Sequence, residues 1–113
     1  MERELITNRI DEALKHIDYV INDLKDVELE NFSGTSLLAR ATAFSIEQIC
    51  EHVSKLRKEF EPSHPEIAWD KIYDMRIVLA HMYKSVNTRV IYKTAKVDLP
   101  VLRDQLTNLK KEI

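Results

Sequence analysis

Glycine occurs once in this 113-residue chain, at Gly34, and that scarcity removes whole classes of chemistry. A phosphate-cradling loop and a dinucleotide fingerprint both need several glycines at fixed spacing, and a glycine-flanked nucleophilic serine needs two. Cysteine also occurs once, at Cys50. No internal disulfide can form, which fits a reducing, cytoplasmic setting. Proline is limited to Pro62, Pro65 and Pro100, so long helices can run with few breaks. No apolar stretch approaches the roughly 18 residues that would cross a bilayer, and the charged start MERELITNRIDEA lacks the apolar run of a signal peptide. No membrane contact is expected.

A metal cluster is equally poorly supplied. His16, His52, His64 and His81 are scattered, and one cysteine makes no zinc pattern. The helical Glu-x-x-His spacing of a di-iron bundle occurs only from Glu61 to His64, among prolines. No metal and no cofactor is expected.

What the chain has in quantity is apolar residues at helical spacing. Hydrophobic residues make up 44% of it, enough for one domain over residues 1–113 with a core that needs no staple. Ile10, Leu14, Ile17, Ile21 and Leu24 step by four and three, which predicts a helix over about 3–25. A second helix is predicted from about Ser36 to Phe60. Its C-terminal half carries Ile46, Ile49, Val53, Leu56 and Phe60, and its N-terminal half, LLARATAF, is apolar on several sides, as if packed against several neighbours. The segment EPSHPE ends it. A third helix takes Trp69, Ile72, Leu79 and Met82 as its core face. Asn87 is placed to cap a helix over roughly 88–97. Asp98 and Pro100 start or kink a last one, with the stripe Leu99, Leu102, Leu106, Leu109 and Ile113. No strand pattern of useful length is present. The expected fold is all-α, an up-and-down bundle of four to five helices with short loops.

One segment resists a purely structural reading. RIVLAHMY (76–83) belongs to the third helix, yet carries Arg76, His81 and Tyr83, and an unpaired polar group costs several kcal/mol, roughly, to bury. Val78, Leu79 and Met82 are expected to face the bundle, with Arg76 and Tyr83 on another side. At about 100° per residue, Arg76 and His81 stand roughly 140° apart around a straight helix. Either the helix ends or kinks near His81, or a second copy of the chain supplies its own pair across a two-fold axis. A core histidine, or a tyrosine bonded to a carbonyl, would also satisfy the pattern. Charge is uneven too. Residues 1–30 hold nine acids against four bases, while 75–97 holds no acid and has Arg76, Lys84, Arg89, Lys93 and Lys96. Such a window suits a polyanion or is simply a solvated face. Glu51, among Ile49, Cys50 and Val53, is expected to be partly buried and to need a cationic partner.

These segments together resemble the HepT-like toxins of the HEPN superfamily. Their signature is Arg, four to six residues, His, and a Tyr two residues on, matched by Arg76-x4-His81-x-Tyr83. HPEIAW (64–69), IEQICEHVSKL (46–56) and VDLPVLRDQL (97–106) resemble the family's lead-in, acidic helix and tail. The sequence departs from the pattern at Ile77, where the family usually has a polar residue, and at Cys50-Glu51-His52 in place of Gly-Glu-Ala. The resemblance implies a homodimeric, metal-independent endoribonuclease, the toxin of a type VII-like pair with a minimal nucleotidyltransferase antitoxin. It implies Arg76 and His81 as catalytic residues, Glu51 as support, and Tyr83 as the acceptor of an inactivating AMP. Lys84, Arg89, Lys93 and Lys96 are the candidate RNA contacts. The alternative is a dimer that keeps the nucleotidyltransferase contact without cutting RNA.

Overall fold

A computed structural model of the protein describes residues 1–33, 36–80 and 87–113. Helix α1 spans Arg3–Asp23, α2 Leu37–Ser54, α3 Arg57–Phe60, α4 Trp69–Ala80, α5 Thr88–Lys93 and α6 Leu99–Lys110. A 3-10 turn occupies Leu29–Asn31, and a π-helical segment, Thr94–Asp98, joins α5 to α6. Among the described residues there is no strand, so the all-α expectation holds.

Side-chain pairs between helices show how the chain runs. Arg9 meets His52 and His16 meets Ser45, so α1 and α2 are antiparallel. Arg57 meets Asp70 and Glu51 meets Arg76, which sets α4 antiparallel to α2 and α3. Arg103 meets Asp18 and Lys110 meets Asp11, which returns α6 along α1. The result is the up-and-down bundle expected from four apolar stripes and short connections. Ile10, Ile17, Ile46, Ile49, Val53, Leu56, Leu106 and Leu109 are fully buried in its one core. Each such side chain contributes about 1.5–3 kcal/mol over leaving it in water.

Several boundaries differ from the sequence reading, each for a physical reason. The second helix starts where expected, with Ser36 as its cap, its Oγ accepting from the Ala39 N–H at 3.0 Å. The helix then breaks at Lys55–Leu56 instead of running to Phe60. There the Leu56 N–H bonds back three residues to Val53 at 2.9 Å, so the turn tightens before α3. Leu37 and Phe44, expected inside, are 74% and 57% exposed, because α2 meets neighbours on one side only. The polar connection after α1 hides one core residue, Phe32, whose ring lies 5.7 Å from that of Tyr92.

As expected, the last helix starts at Asp98–Pro100, with Pro100 in the first turn of α6. Its missing N–H and bulky ring would disturb the turn that holds Lys96, and the chain widens into the π segment just before it. The wide turn also repairs the stripe. Ile91, Ala95 and Leu99 are all buried, although residues eight apart would sit about 80° out of line on a regular helix.

His64 ties the connection before α4 to the end of α6. Its Nδ1 meets Glu66 at 2.9 Å and its Nε2 meets Glu112 at 2.7 Å, while its carbonyl accepts from the Trp69 indole at 2.8 Å. Two carboxylates on one ring require both nitrogens to donate. The bonds to Glu66, then Glu112, raise the imidazole above its ordinary 6.5. A raised folded-state value means the clasp stabilises fully below pH 6.5 and is lost as pH climbs through that higher value. Urea midpoints of the wild type should therefore exceed those of Glu112→Gln at pH 6 and converge on them by pH 9. A gap that stays constant across that range would show that the clasp is not ionic.

Candidate active site

The site grows from the side of α2 that the core leaves open. Ile46, Ile49, Cys50 and Val53 turn inward, so the helical period puts Leu37, Phe44, Glu51 and Lys55 outside. Trp69 and Leu79 anchor α4. Arg76, three residues before Leu79, lies at the edge of α4 that borders α2.

There Arg76 Nε donates to Glu51 Oε2 at 2.6 Å, with both side chains about a third exposed, and Lys55 Nζ lies 3.6 Å from Glu51 Oε1. The expected cationic partner of Glu51 is thus Arg76. Burial pushes the Glu51 carboxyl up, but the hydrogen bond and charge of Arg76, helped by Lys55, hold it below the ordinary carboxylate value. Only Nε is taken by Glu51. The carboxylate therefore fixes the plane of the guanidinium without closing the fork's bidentate edge, the edge that matches a phosphate.

Around this pair the surface is apolar. Tyr73 and Ile77 flank Arg76 on α4, and Phe44 lies two turns from Glu51 on α2; all three are exposed. Val78, expected to face the bundle, is 55% exposed; Leu79, beside it, is 7% exposed. The difference arises because α4 is an edge helix, covered by α2 on one side only. His81, Tyr83, Lys84 and Met82 lie outside the described residues.

The remaining candidates separate. Arg89 and Lys93 are exposed one turn apart on α5, open to an external anion. Lys96 has a different occupation. Its ammonium donates to the carbonyl of Leu24, reaches that of Lys25 at 3.5 Å, and sits 5.6 Å from the Tyr92 ring centroid. It caps the C-terminal end of α1, where a cation opposes the helix dipole. His52 faces α1, with Nδ1 accepting from Arg9 at 3.2 Å, and burial followed by Arg9's charge lowers its pKa, keeping it neutral. Lys55 escaped the sequence reading, although its i,i+4 spacing from Glu51 was a usable signal. Among the described residues no group of three His, Cys, Asp or Glu side chains could hold a metal ion, and no helix is long and apolar enough to cross a membrane.

The sequence profile for HepT-like ribonucleases matches residues 8–109. The chain belongs to the ribonuclease HepT-like family. A relative from Caldanaerobacter subterraneus subsp. tengcongensis, provisionally named an RNase, is 35% identical over 104 residues, covering 91% of this chain and 93% of its own. A probable ribonuclease HepT of Thermococcus cleftensis is 28% identical over 102 residues, covering 90% and 93%. A provisionally named RNase of Methanocaldococcus jannaschii is 28% identical over 102 residues, covering 90% and 84%. No solved structure matches the chain. Membership agrees with the resemblance carried by the three flanking segments, and the helical bundle is HEPN-like.

The Glu51–Arg76 pair has a simple solution test. A depressed carboxylate keeps the ion pair above pH 4.5 and loses it as pH falls through the lower folded-state value. The Arg76 Nε–H resonance should hold steady from pH 7 to 5 and move below about 4.5, the ordinary carboxylate value. In Glu51→Gln it should be displaced at every pH, with a stability loss of only about 0.2–1 kcal/mol because the pair is partly solvated. An unchanged resonance in the variant would show that the pair does not hold in solution.

Proposed function

We propose that the protein is a metal-independent endoribonuclease, the toxin of a type VII-like pair, acting in the cytoplasm. The observation that supports this best is an arginine held by its Nε, in a chain of a ribonuclease family. RNA brings its own nucleophile, the 2′-OH. His81 takes that proton, a task open at neutral pH to an imidazole because the group's unperturbed pKa is about 6.5. The 2′-oxygen then attacks the adjacent phosphorus, the 5′-oxygen leaves with a proton, and a cyclic 2′,3′-phosphate remains. Arg76 clamps the phosphate and stabilises its added charge. A phosphate at Arg76 also places an anion near Glu51, and Lys55 offsets that repulsion. Lys84, Arg89 and Lys93 extend the positive field along the strand.

RNA cleavage should survive EDTA and disappear in both Arg76→Ala and His81→Ala, with helical circular dichroism unchanged. Loss of cleavage on chelation, or no cleavage of any RNA pool by the wild type, would defeat the mechanism.

A homodimer completes this reading. Two motifs brought across a two-fold axis meet the geometric demand of Arg76 and His81, and a second copy would cover the exposed Leu37, Phe44, Tyr73 and Ile77 around the pair. Light scattering at micromolar concentration should give twice 13.3 kDa, and Phe44→Asp should halve it. A monomeric wild type would overturn the shared cleft.

The antitoxin in this reading is a minimal nucleotidyltransferase that transfers AMP to Tyr83. AMP there adds bulk and negative charge beside Arg76, so blockage and Coulomb repulsion both oppose RNA. Co-expression with such an enzyme should add about 329 Da per AMP, its formula mass as an adenylate, to the Tyr83 peptide, and Tyr83→Phe should abolish the gain. Adenylate on Tyr73 or Tyr92 instead would reassign the acceptor.

Ile77 favours a second reading. It is apolar and 43% exposed beside Arg76, where the family usually has a polar side chain. A non-cutting dimer that binds the nucleotidyltransferase would tolerate this. Ile77→Asn separates the two: raised cleavage marks an attenuated nuclease, and continued silence marks a binding module.

A further inference from the structure

Helix α4 has a second border, away from the site. Between α4 and the π segment with α6 lies a cavity of about 200 Å³. Ile46, Ile49 and Cys50 of α2 line it, with Ile72 and Met75 of α4 and Leu99 and Leu102 of α6 as its walls. The wide turn at Thr94–Asp98 contributes Thr94, Val97 and Asp98 to the same lining, and π turns inside α-helices recur at functional sites.

The lining decides what can enter. It carries three charged residues, and each already has an opposite charge. Lys71 pairs with Asp98 at 2.9 Å, and Glu66 pairs with His64 at 2.9 Å. The Gln105 amide is likewise taken, by the Glu66 carbonyl at 3.1 Å. Burial, followed by the charge of Glu47, pushes the Cys50 thiol up to about 12, so that wall is neutral at physiological pH. A charged guest would lose its hydration and gain no partner. The volume is also too small for a helix, which is about 10–12 Å across with its side chains. In volume it is close to the roughly 150 Å³ of an apolar cavity that accepts benzene, although this one opens to solvent on one side.

The position decides what binding would do. Cys50 and Met75 line the cavity, and the next residues along the same two helices, Glu51 and Arg76, form the ion pair on the other side. The cavity and the pair are back to back across the α2–α4 seam.

We propose that this cavity is a binding site for a small uncharged apolar molecule, of monoaromatic or branched aliphatic character, and that occupancy shifts the Glu51–Arg76 pair by changing how α2 and α4 pack. The site stands or falls apart from RNA cleavage, since its readout is the geometry of the pair.

Toluene is a suitable probe, followed by methyl and arginine Nε–H NMR on the full chain. Titration should move the methyl signals of Ile46, Ile49, Ile72, Leu99 and Leu102 saturably, leave those of Ile6 and Ile17 in place, and move the Arg76 Nε–H signal with the same midpoint. Cys50→Met, which fills the cavity from the α2 side, should abolish the shifts. Val97→Phe, at an exposed position of the rim, should do the same and keeps the test informative if the first variant does not fold. Absence of saturable shifts up to toluene's solubility overturns the site, as do shifts centred on Leu37 and Phe44, which would mean adsorption to the outer face. Methyl shifts without movement of Arg76 Nε–H overturn the coupling.

Discussion

Everything in this bundle is arranged around the burial of one side of α2. Ile46, Ile49 and Val53 vanish completely from solvent, because α1, α4 and α5 all stand against the same side of the helix. That demand leaves the other side of α2 bare. The exposed Leu37 and Phe44, and the one-third-exposed Glu51, follow from it. A helix packed on one side presents a functional surface at no further cost in folding, because the residues there are not needed inside.

The ion pair between Glu51 and Arg76 lies where that bare side meets α4, and its electrostatics are balanced between two regimes. A fully buried pair would carry a large desolvation penalty, and a fully exposed one would be screened. At about one-third exposure the attraction outweighs the burial that opposes it, as the depressed Glu51 carboxyl records. The guanidinium is thus oriented yet still reachable. Lys55 gives the carboxylate a second cation, so Arg76 can turn toward another anion without leaving Glu51 uncompensated.

The π segment is the other organising device. Pro100 cannot complete a regular turn, and the widened backbone before it keeps Ile91, Ala95 and Leu99 on one stripe. The same segment contributes Thr94, Val97 and Asp98 to the lining of the apolar cavity between α4 and α6. One imino acid therefore accounts for both the widened turn and the intact core stripe.

How much of this was legible depended on the range of the interaction. Four apolar stripes at helical spacing, the cap at Asn87, and the lack of glycine pointed to an all-α chain and excluded phosphate loops, because those features are local and periodic. The need of Glu51 for a cation was readable as well, from its apolar neighbours. The orientation of α4 was not, since Val78 and Leu79 are equally apolar and only the placement of α2 decides which is covered. Nor was the fate of Lys96, whose charge looked available until the fold brought the end of α1 beneath it. The sequence by itself determined which residues were helical and which chemistry the chain carried. The tertiary structure alone decided which apolar faces stayed open and which charges met, because both depend on helices far apart in the chain coming side by side.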